Sequence, residues 1–155
     1  MDIAELKKRY ENLTKKYKIP GFVELNKDFE IEKLDKEIDF LLRAIRKLIM
    51  EKIVNSMSFL EMLVNPVNAP RMYQNYIRTM TVEDKKIIDK IYSSLADLSV
   101  LSLDLEIESN EKEEAELIKK SFDIWNSSKP EFKKILNSMK HPKDFVNKKE
   151  RSYFG

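Results

Sequence analysis

The sequence predicts an all-α fold, in which five or six helices form an elongated bundle around one long central helix. Apolar residues recur at spacings of three and four residues, as they do on one face of a helix. Charged residues make up 36% of the 155 residues and are mostly Lys and Glu, which both favour helix. Glycine occurs only twice, so the five prolines mark the boundaries between segments.

The first helix is expected over residues 3–17, where apolar side chains recur at spacings of 3, 4, 3 and 4 residues. Asp2 is a candidate N-cap, and Pro20-Gly21 ends the segment. Residues 22–28 are expected to add one more helical turn. The apolar stripe consists of Ile3, Leu6, Tyr10, Leu13 and Tyr17.

The central helix is expected over residues 34–63, which contain no proline. Its apolar residues cover much more than the 100° arc of an ordinary surface helix, so we expect other helices to surround it. At about 1.5 Å per residue an unbroken helix of this length spans about 45 Å and gives a rod-like bundle. A kink near residues 52–56, where polar residues enter the apolar face, is the alternative.

Two breaks surround a short predicted helix. Asn65-Pro66 ends the central helix, and Asn68-Ala69-Pro70 resembles a cap followed by a first-turn proline. Thr81 is followed by acidic residues and is expected to begin the next helix. The apolar side of the short helix carries Met72, Tyr73, Tyr76, Ile77 and Met80.

Residues 100–108 fit two kinds of secondary structure. Leucine or isoleucine alternates there with polar residues, which favours a strand, but Leu98, Leu101 and Leu105 also continue a helical spacing. We favour helix, because no second strand is predicted that could pair with this one.

The last predicted helices follow Ser109-Asn110, a cap with acidic residues behind it. Lys129-Pro130 is expected to break the chain, and residues 131–139 to form a final helix. We therefore expect a single helical domain over residues 1–140. Residues 141–155 are polar and basic, and we expect a loosely held tail.

Several chemistries are excluded by composition. The chain has no Cys, which excludes disulfides, thiolate metal sites, iron–sulfur clusters and thiol nucleophiles. His141 is its one histidine, so multi-histidine metal sites are excluded, and one internal glycine cannot form a phosphate-binding glycine-rich loop. We predict no enzyme, no metal and no cofactor, although chemistry by carboxylates alone stays open.

The net charge of +2 is unevenly distributed. Residues 1–18 and 129–155 carry net charges of +3 and +5, whereas residues 19–128 carry −6. The chain is thus an acidic body with basic ends. No apolar run is long enough for a transmembrane helix and the first residues lack the apolar run of a signal peptide, so the cytoplasm is the expected location.

The short helix after Pro70 carries one candidate partner-binding group. Tyr and Arg are favoured at binding hot spots, and Arg71, Tyr73, Tyr76 and Arg78 lie close together there. The alternative, which the apolar spacing favours, is that both tyrosines pack into the core.

The basic tail carries the second candidate group, which consists of Lys148, Lys149, Arg151, Tyr153 and Phe154. Lysines there could follow a phosphate backbone while aromatic rings stack on bases, in binding that is non-specific and weakened by salt. Docking on an acidic protein surface and a merely solubilising tail are the alternatives.

The end of the tail also resembles the sliding-clamp-binding peptide family. Tyr153-Phe154 match the aromatic pair of that motif, whereas Asn147 stands at the position of its Gln and Glu150 at that of its aliphatic residue. The resemblance implies docking on a clamp. A generic aromatic-tipped peptide that docks in a pocket is the alternative.

The whole chain resembles small Lys/Glu-rich helical proteins of archaea. The resemblance rests on the connection from Asn65-Pro66 to Pro70, on residues 112–116 and on the end at residues 152–155. It implies an all-helical fold and no particular activity.

Our leading functional hypothesis is a non-catalytic helical interaction or scaffold module. It could self-associate through the 3–17 stripe or through the spare apolar width of the central helix. The alternative is a nucleic-acid or ribonucleoprotein accessory factor that binds through its basic ends.

Overall fold

The computed structural model describes residues 2–35 and 37–140 and forms six α-helices, with no strand in these ranges. The predicted all-α class is therefore confirmed. The helices are α1 (Ile3–Tyr17), α2 (Phe22–Phe29), α3 (Leu41–Val64), α4 (Arg71–Thr79), α5 (Val82–Ile107) and α6 (Glu111–Lys140). Short 3-10 turns occupy Ile31–Lys33 and Pro66–Asn68.

The three longest helices, α3, α5 and α6, pack against one another at the centre of the molecule. Arg46, near the start of α3, contacts Glu114, near the start of α6, so these two helices run in the same direction. The same arginine contacts Ser102, near the end of α5, so α5 runs in the opposite direction. At 30 residues α6 is about 45 Å long, which makes the bundle elongated.

Helix α3 is the predicted central helix, and α2, α5 and α6 all contact it. It is one uninterrupted helix, with no break at residues 52–56. Its apolar side chains enter the core on several sides, as the wide apolar arc predicts. The buried ones are Leu41, Leu42, Ile45, Ile49, Met50, Ile53, Leu60 and Leu63.

The predicted start of the central helix at residue 34 is wrong, because α3 begins at Leu41. Helix α2 ends at Phe29, the next residue Glu30 has a left-handed φ of 50°, and a 3-10 turn follows. Arg9 in α1 then donates a hydrogen bond of 2.8 Å to the Ile38 carbonyl. Contacts with α1 thus hold this approach to α3 in a non-helical conformation that the apolar spacing could not reveal.

The predicted break at Lys129-Pro130 is also wrong, because α6 continues through Pro130 to Lys140. Packing on both sides of the proline holds the helix together. The rings of Trp125 and Phe132 lie 6.5 Å apart across it, and Ile135 beyond it is buried. Tertiary packing therefore outweighs the local preference of proline.

Residues 100–107 are helical, which confirms the interpretation that we favoured. They form the last two turns of α5, which begins at a capping box. The Thr81 hydroxyl accepts from the Asp84 backbone N–H at 3.1 Å, and the Asp84 carboxylate accepts from the Thr81 N–H at 3.1 Å. The cap fixes the start of a 26-residue helix.

Helices α1 and α2 pack on the outside of this core. Leu6 and Tyr10 of the 3–17 stripe are buried, so the chain itself covers the middle of the stripe. The Tyr10 ring lies edge-on to Phe22 at 5.7 Å, and its hydroxyl donates to the Pro20 carbonyl at 2.5 Å. Burial raises the pKa of Tyr10 well above its ordinary value.

Candidate interaction surface

Three large apolar side chains lie exposed along one side of α5, and we call them the α5 surface. Val100 is 65% exposed, Leu103 63% and Ile107 86%. Their spacing of three and four residues places them within an arc of about 60° around the helix axis and over a length of about 10 Å. They form an apolar stripe on the outside of the bundle.

The opposite side of the same helical segment is anchored in the core. Leu95, Leu98 and Leu105 are almost completely buried, and Ser102 is buried beside them. The α5 surface therefore lies on a helix that the core holds in place.

The alternation of leucine and polar residues over residues 100–108 is itself a sequence signal for this surface. Alternate positions of a helix lie about 200° apart, so a helix with period-two leucines cannot bury them all on one side. Leu105 faces the core, whereas Leu101, Leu103 and Ile107 are exposed. A helical interpretation of an alternating segment therefore also predicts that some of its apolar residues are exposed.

Five acidic residues lie beside the α5 surface, and we call them the acidic border. Asp97 and Asp104 lie on one flank of α5, Glu108 is the residue that directly follows its last turn, and Glu113 and Glu116 lie on the first turns of α6. Among the described residues, none of the five has a Lys or Arg nitrogen within 4.0 Å of its carboxylate.

A shallow groove of about 270 Å³ separates the two helices at the acidic border. Leu101, Leu105 and Leu117 contribute its apolar lining, and Lys120 is the one basic residue that lines it. The groove therefore combines an apolar floor with acidic edges.

Local helix stability does not account for the acidic border on α5. The C-terminal end of a helix favours basic side chains, because its dipole is negative there. The last turn of α5 has none, and residues 91–111 contain no Lys or Arg. Asp104 and Glu108 thus stand at the end of α5 where the helix dipole disfavours acidic side chains.

A buried polar network holds α3, α5 and α6 together at the same end of the bundle. Arg46 is 1% exposed and binds Glu114 through two bonds, Nε to Oε2 at 2.6 Å and Nη2 to Oε1 at 3.1 Å. Its Nη1 donates to the Ser102 hydroxyl at 2.8 Å and to Glu106 Oε1 at 2.7 Å. Ser109 donates a further bond of 2.8 Å to Glu114.

The network shifts the pKa values of Arg46 and Glu106 in the directions that favour their charged forms. Burial alone lowers the pKa of Arg46, but the hydrogen bonds to Glu114 and Glu106 outweigh it and the pKa is raised. The hydrogen bond from Arg46 lowers the pKa of Glu106, with help from the charges of Lys47 and Arg43. Glu106 is thus compensated from α3, unlike the acidic border on the opposite flank of α5.

The predicted residues of the short helix lie on α4. Arg71 and Arg78 are exposed, Tyr73 is half-buried with its ring 5.8 Å from that of Phe59, and Tyr76 is buried. The Tyr76 hydroxyl has no hydrogen-bond partner among the described residues, and burial raises its pKa to about 12. The two arginines are therefore exposed to solvent, whereas the two tyrosines pack against the rest of the protein.

The other predicted residues, Lys148, Lys149, Arg151, Tyr153 and Phe154, lie outside the described residues. The same holds for the whole predicted tail. Their assignment to partner binding stays a prediction.

Each of two larger clefts contains a charged side chain that already contacts another residue of the chain. One of about 490 Å³ lies at the start of α3 and α6, where Glu111 accepts from Tyr17 and Lys16 and its pKa is lowered by these bonds. The other, of about 610 Å³, contains Lys52, whose ammonium lies 5.5 Å from the Phe29 ring centre. Within residues 2–35 and 37–140 no group of three His, Asp or Glu could hold a metal ion.

None of the helices in the described part of the chain is both long and apolar enough to cross a membrane.

No family model, no curated protein and no solved structure matches this chain. The resemblance to archaeal helical proteins therefore stays a prediction. The α5 surface and its acidic border are the features of the molecule that indicate a function.

Proposed function

We propose that this protein is a non-catalytic helical interaction module that docks a protein partner on the α5 surface. The observation that carries the proposal is the exposure of Val100, Leu103 and Ile107 along one side of a firmly held helix. Exposed apolar side chains that form one contiguous patch mark interaction sites more often than isolated ones do. A non-catalytic role and a cytoplasmic location belong to this proposal.

The chemistry of the surface supports a docking role. Burying the three aliphatic side chains against a partner removes apolar surface from water, which favours binding. None of the three can transfer a proton or attack a substrate. The helix beneath them is anchored by Leu98 and Leu105, so docking requires little ordering of the backbone.

Nucleic-acid binding through the basic ends is the competing hypothesis. In the N-terminal part, Lys16 is paired with Glu111 at 3.2 Å and Arg9 donates to the Ile38 carbonyl. Residues 141–155 lie outside the described residues. We favour protein docking, because the exposed apolar stripe of α5 suits a protein partner rather than a phosphate backbone.

A photo-crosslinking amino acid at position 103 tests the proposal. In cells we expect discrete adducts, because the side chain at this position enters the interface. The matched control carries the same group at position 23, where Val23 is an isolated valine of α2 that is 77% exposed. Each adduct is identified by mass spectrometry.

The proposal further requires that the adduct at position 103 is lost when Ile107→Ser is added. Docking at the α5 surface would be contradicted if positions 103 and 23 gave the same adducts. It would also be contradicted if the adduct at position 103 still formed after Ile107→Ser is added. The absence of any adduct at position 103 would contradict it as well.

A further inference from the structure

We infer that the partner on the α5 surface is a basic amphipathic helix of another protein. This inference rests on the proposed function and adds the chemistry of the partner. Its basis is the juxtaposition of the exposed apolar stripe with the acidic border and the groove between α5 and α6.

The spacing of the stripe fits a helix as partner. Val100, Leu103 and Ile107 follow one another at intervals of three and four residues, which is the arrangement that an amphipathic helix meets with its own apolar face. Leu101 is 40% exposed and lines the groove between the stripe and α6. A second helix laid along this groove would contact the stripe on one side and α6 on the other.

The charges of the site fit a basic partner. Asp104 lines the groove from α5, and Glu113 and Glu116 line it from α6. Asp97 lies two turns before Asp104 on the same flank of α5, and Glu108 follows the last turn of that helix. In the described part of the chain these carboxylates have no cationic partner within 4.0 Å. Lysines or arginines on the polar face of a docked helix would pair with them without displacing an existing contact.

Charge also argues against two other occupants. A second copy of α5 would bring its own Asp97, Asp104 and Glu108 against the acidic border, and like charges across an interface are unfavourable. A nucleic acid would bring phosphates to the same carboxylates. The acidic border therefore favours a cationic helix over a second copy of α5 and over a nucleic acid.

Two designed peptides test the inference with the full chain. Both form amphipathic helices with leucine on one face, and the other face carries lysine in one peptide and glutamate in the other. We expect the lysine peptide to bind, with an affinity that falls as salt is raised, and the glutamate peptide not to bind. Binding is measured by fluorescence anisotropy of the labelled peptides.

Charge reversal of the acidic border shows whether the lysine peptide binds at the border or is attracted by the net charge of the whole protein. The variant Asp97→Lys, Asp104→Lys, Glu108→Lys should weaken the lysine peptide by about tenfold or more, because several exposed charge pairs become repulsive. The control variant Glu11→Lys, Glu24→Lys, Glu61→Lys has the same net charge, but its changes lie on α1, α2 and α3. The control should retain the affinity within about twofold.

The inference is overturned if both charge variants weaken the lysine peptide equally, or if neither weakens it. It is also overturned if the wild-type chain forms dimers that Leu103→Ser abolishes, since the occupant is then a second copy. Tighter peptide binding after removal of residues 141–155 overturns it as well, because the chain's own basic segment is then the occupant.

A Leu103→Ser, Ile107→Ser variant distinguishes this failure from failure of the proposed function. If it abolishes peptide binding while border reversal has no effect, the α5 surface is a docking site and only the basic partner is wrong. If binding is unchanged in both variants, the proposed function fails too. Circular dichroism of each variant verifies that the helices are retained.

Discussion

Arg46 is the residue on which most of the polar interior depends. It is 1% exposed, and an arginine so deeply buried is stable only when its donors are bonded to acceptors. Glu114 takes two of the bonds, while Ser102 and Glu106 take the others. Removing Arg46 leaves the buried Glu114 without its counter-charge.

We therefore expect Arg46→Ala to lower the free energy of unfolding by about 3–5 kcal/mol, because Glu114 loses its counter-charge. The double variant Arg46→Met, Glu114→Leu should recover most of that loss, since it removes both charges and keeps apolar volume. Urea denaturation followed by circular dichroism measures all three proteins.

Lys47→Ala is the matched control, because Lys47 is 55% exposed and lies 3.8 Å from Glu106. Its cost should stay below about 1 kcal/mol, as for other surface pairs. A double variant as unstable as Arg46→Ala would show that the polar network, and not merely the pairing of charges, stabilises the fold.

Part of this network could have been predicted from the sequence. Arg46 follows Leu42 by four residues and precedes Ile49 by three, so it shares their buried side of α3. Glu114, however, is one of 27 acidic residues and stands in a first helical turn, where the helix dipole already explains it. Only the packing of α6 on α3 identifies it as the partner.

Helix α6 shows how packing outweighs a local preference. Pro130 cannot donate the backbone hydrogen bond to the carbonyl four residues earlier, and its ring crowds that carbonyl. The helix nevertheless continues, because Phe132 and Ile135 beyond the proline pack into the bundle. The sequence correctly marks a weak point here but does not show that the helix survives it.

Pro130→Ala should raise the free energy of unfolding by about 1–3 kcal/mol, because it restores the missing backbone hydrogen bond. The greater flexibility of the unfolded chain without proline offsets a small part of this gain. Thermal unfolding by circular dichroism measures the change. Lys133→Ala, an exposed position of the same helix, is the control and should change stability little. Unchanged or lower stability of Pro130→Ala would mean that the bundle requires the proline geometry.

The periodic elements were predicted well and the connections less well. Long helices leave a strong period in the sequence, which is why the sequence predicts α1 and the bodies of α3 and α5. The approach to α3 was not predicted, because the bond from Arg9 to Ile38 joins residues 29 positions apart. Contacts of that range leave no local pattern.

At the scale of the whole molecule, α3, α5 and α6 pack against one another and leave the α5 surface exposed to solvent. Leu98 and Leu105 turn inward from α5, while Leu103 and Ile107 turn outward beside carboxylates. The acidic excess of residues 19–128 was visible in the sequence, but its concentration along one groove required the packing of α5 against α6.

The most direct test of the account is the free energy of unfolding of the variant Val100→Ser, Leu103→Ser, Ile107→Ser, compared with that of Leu98→Ser. If the fold does not use the α5 surface, the triple variant should lose no more than about 0.5 kcal/mol per substitution, a value typical of exposed positions. Leu98→Ser, in the core of the same helix, should lose about 3 kcal/mol or more. A triple variant that unfolds as readily as Leu98→Ser would contradict the account, because those side chains would then belong to the core.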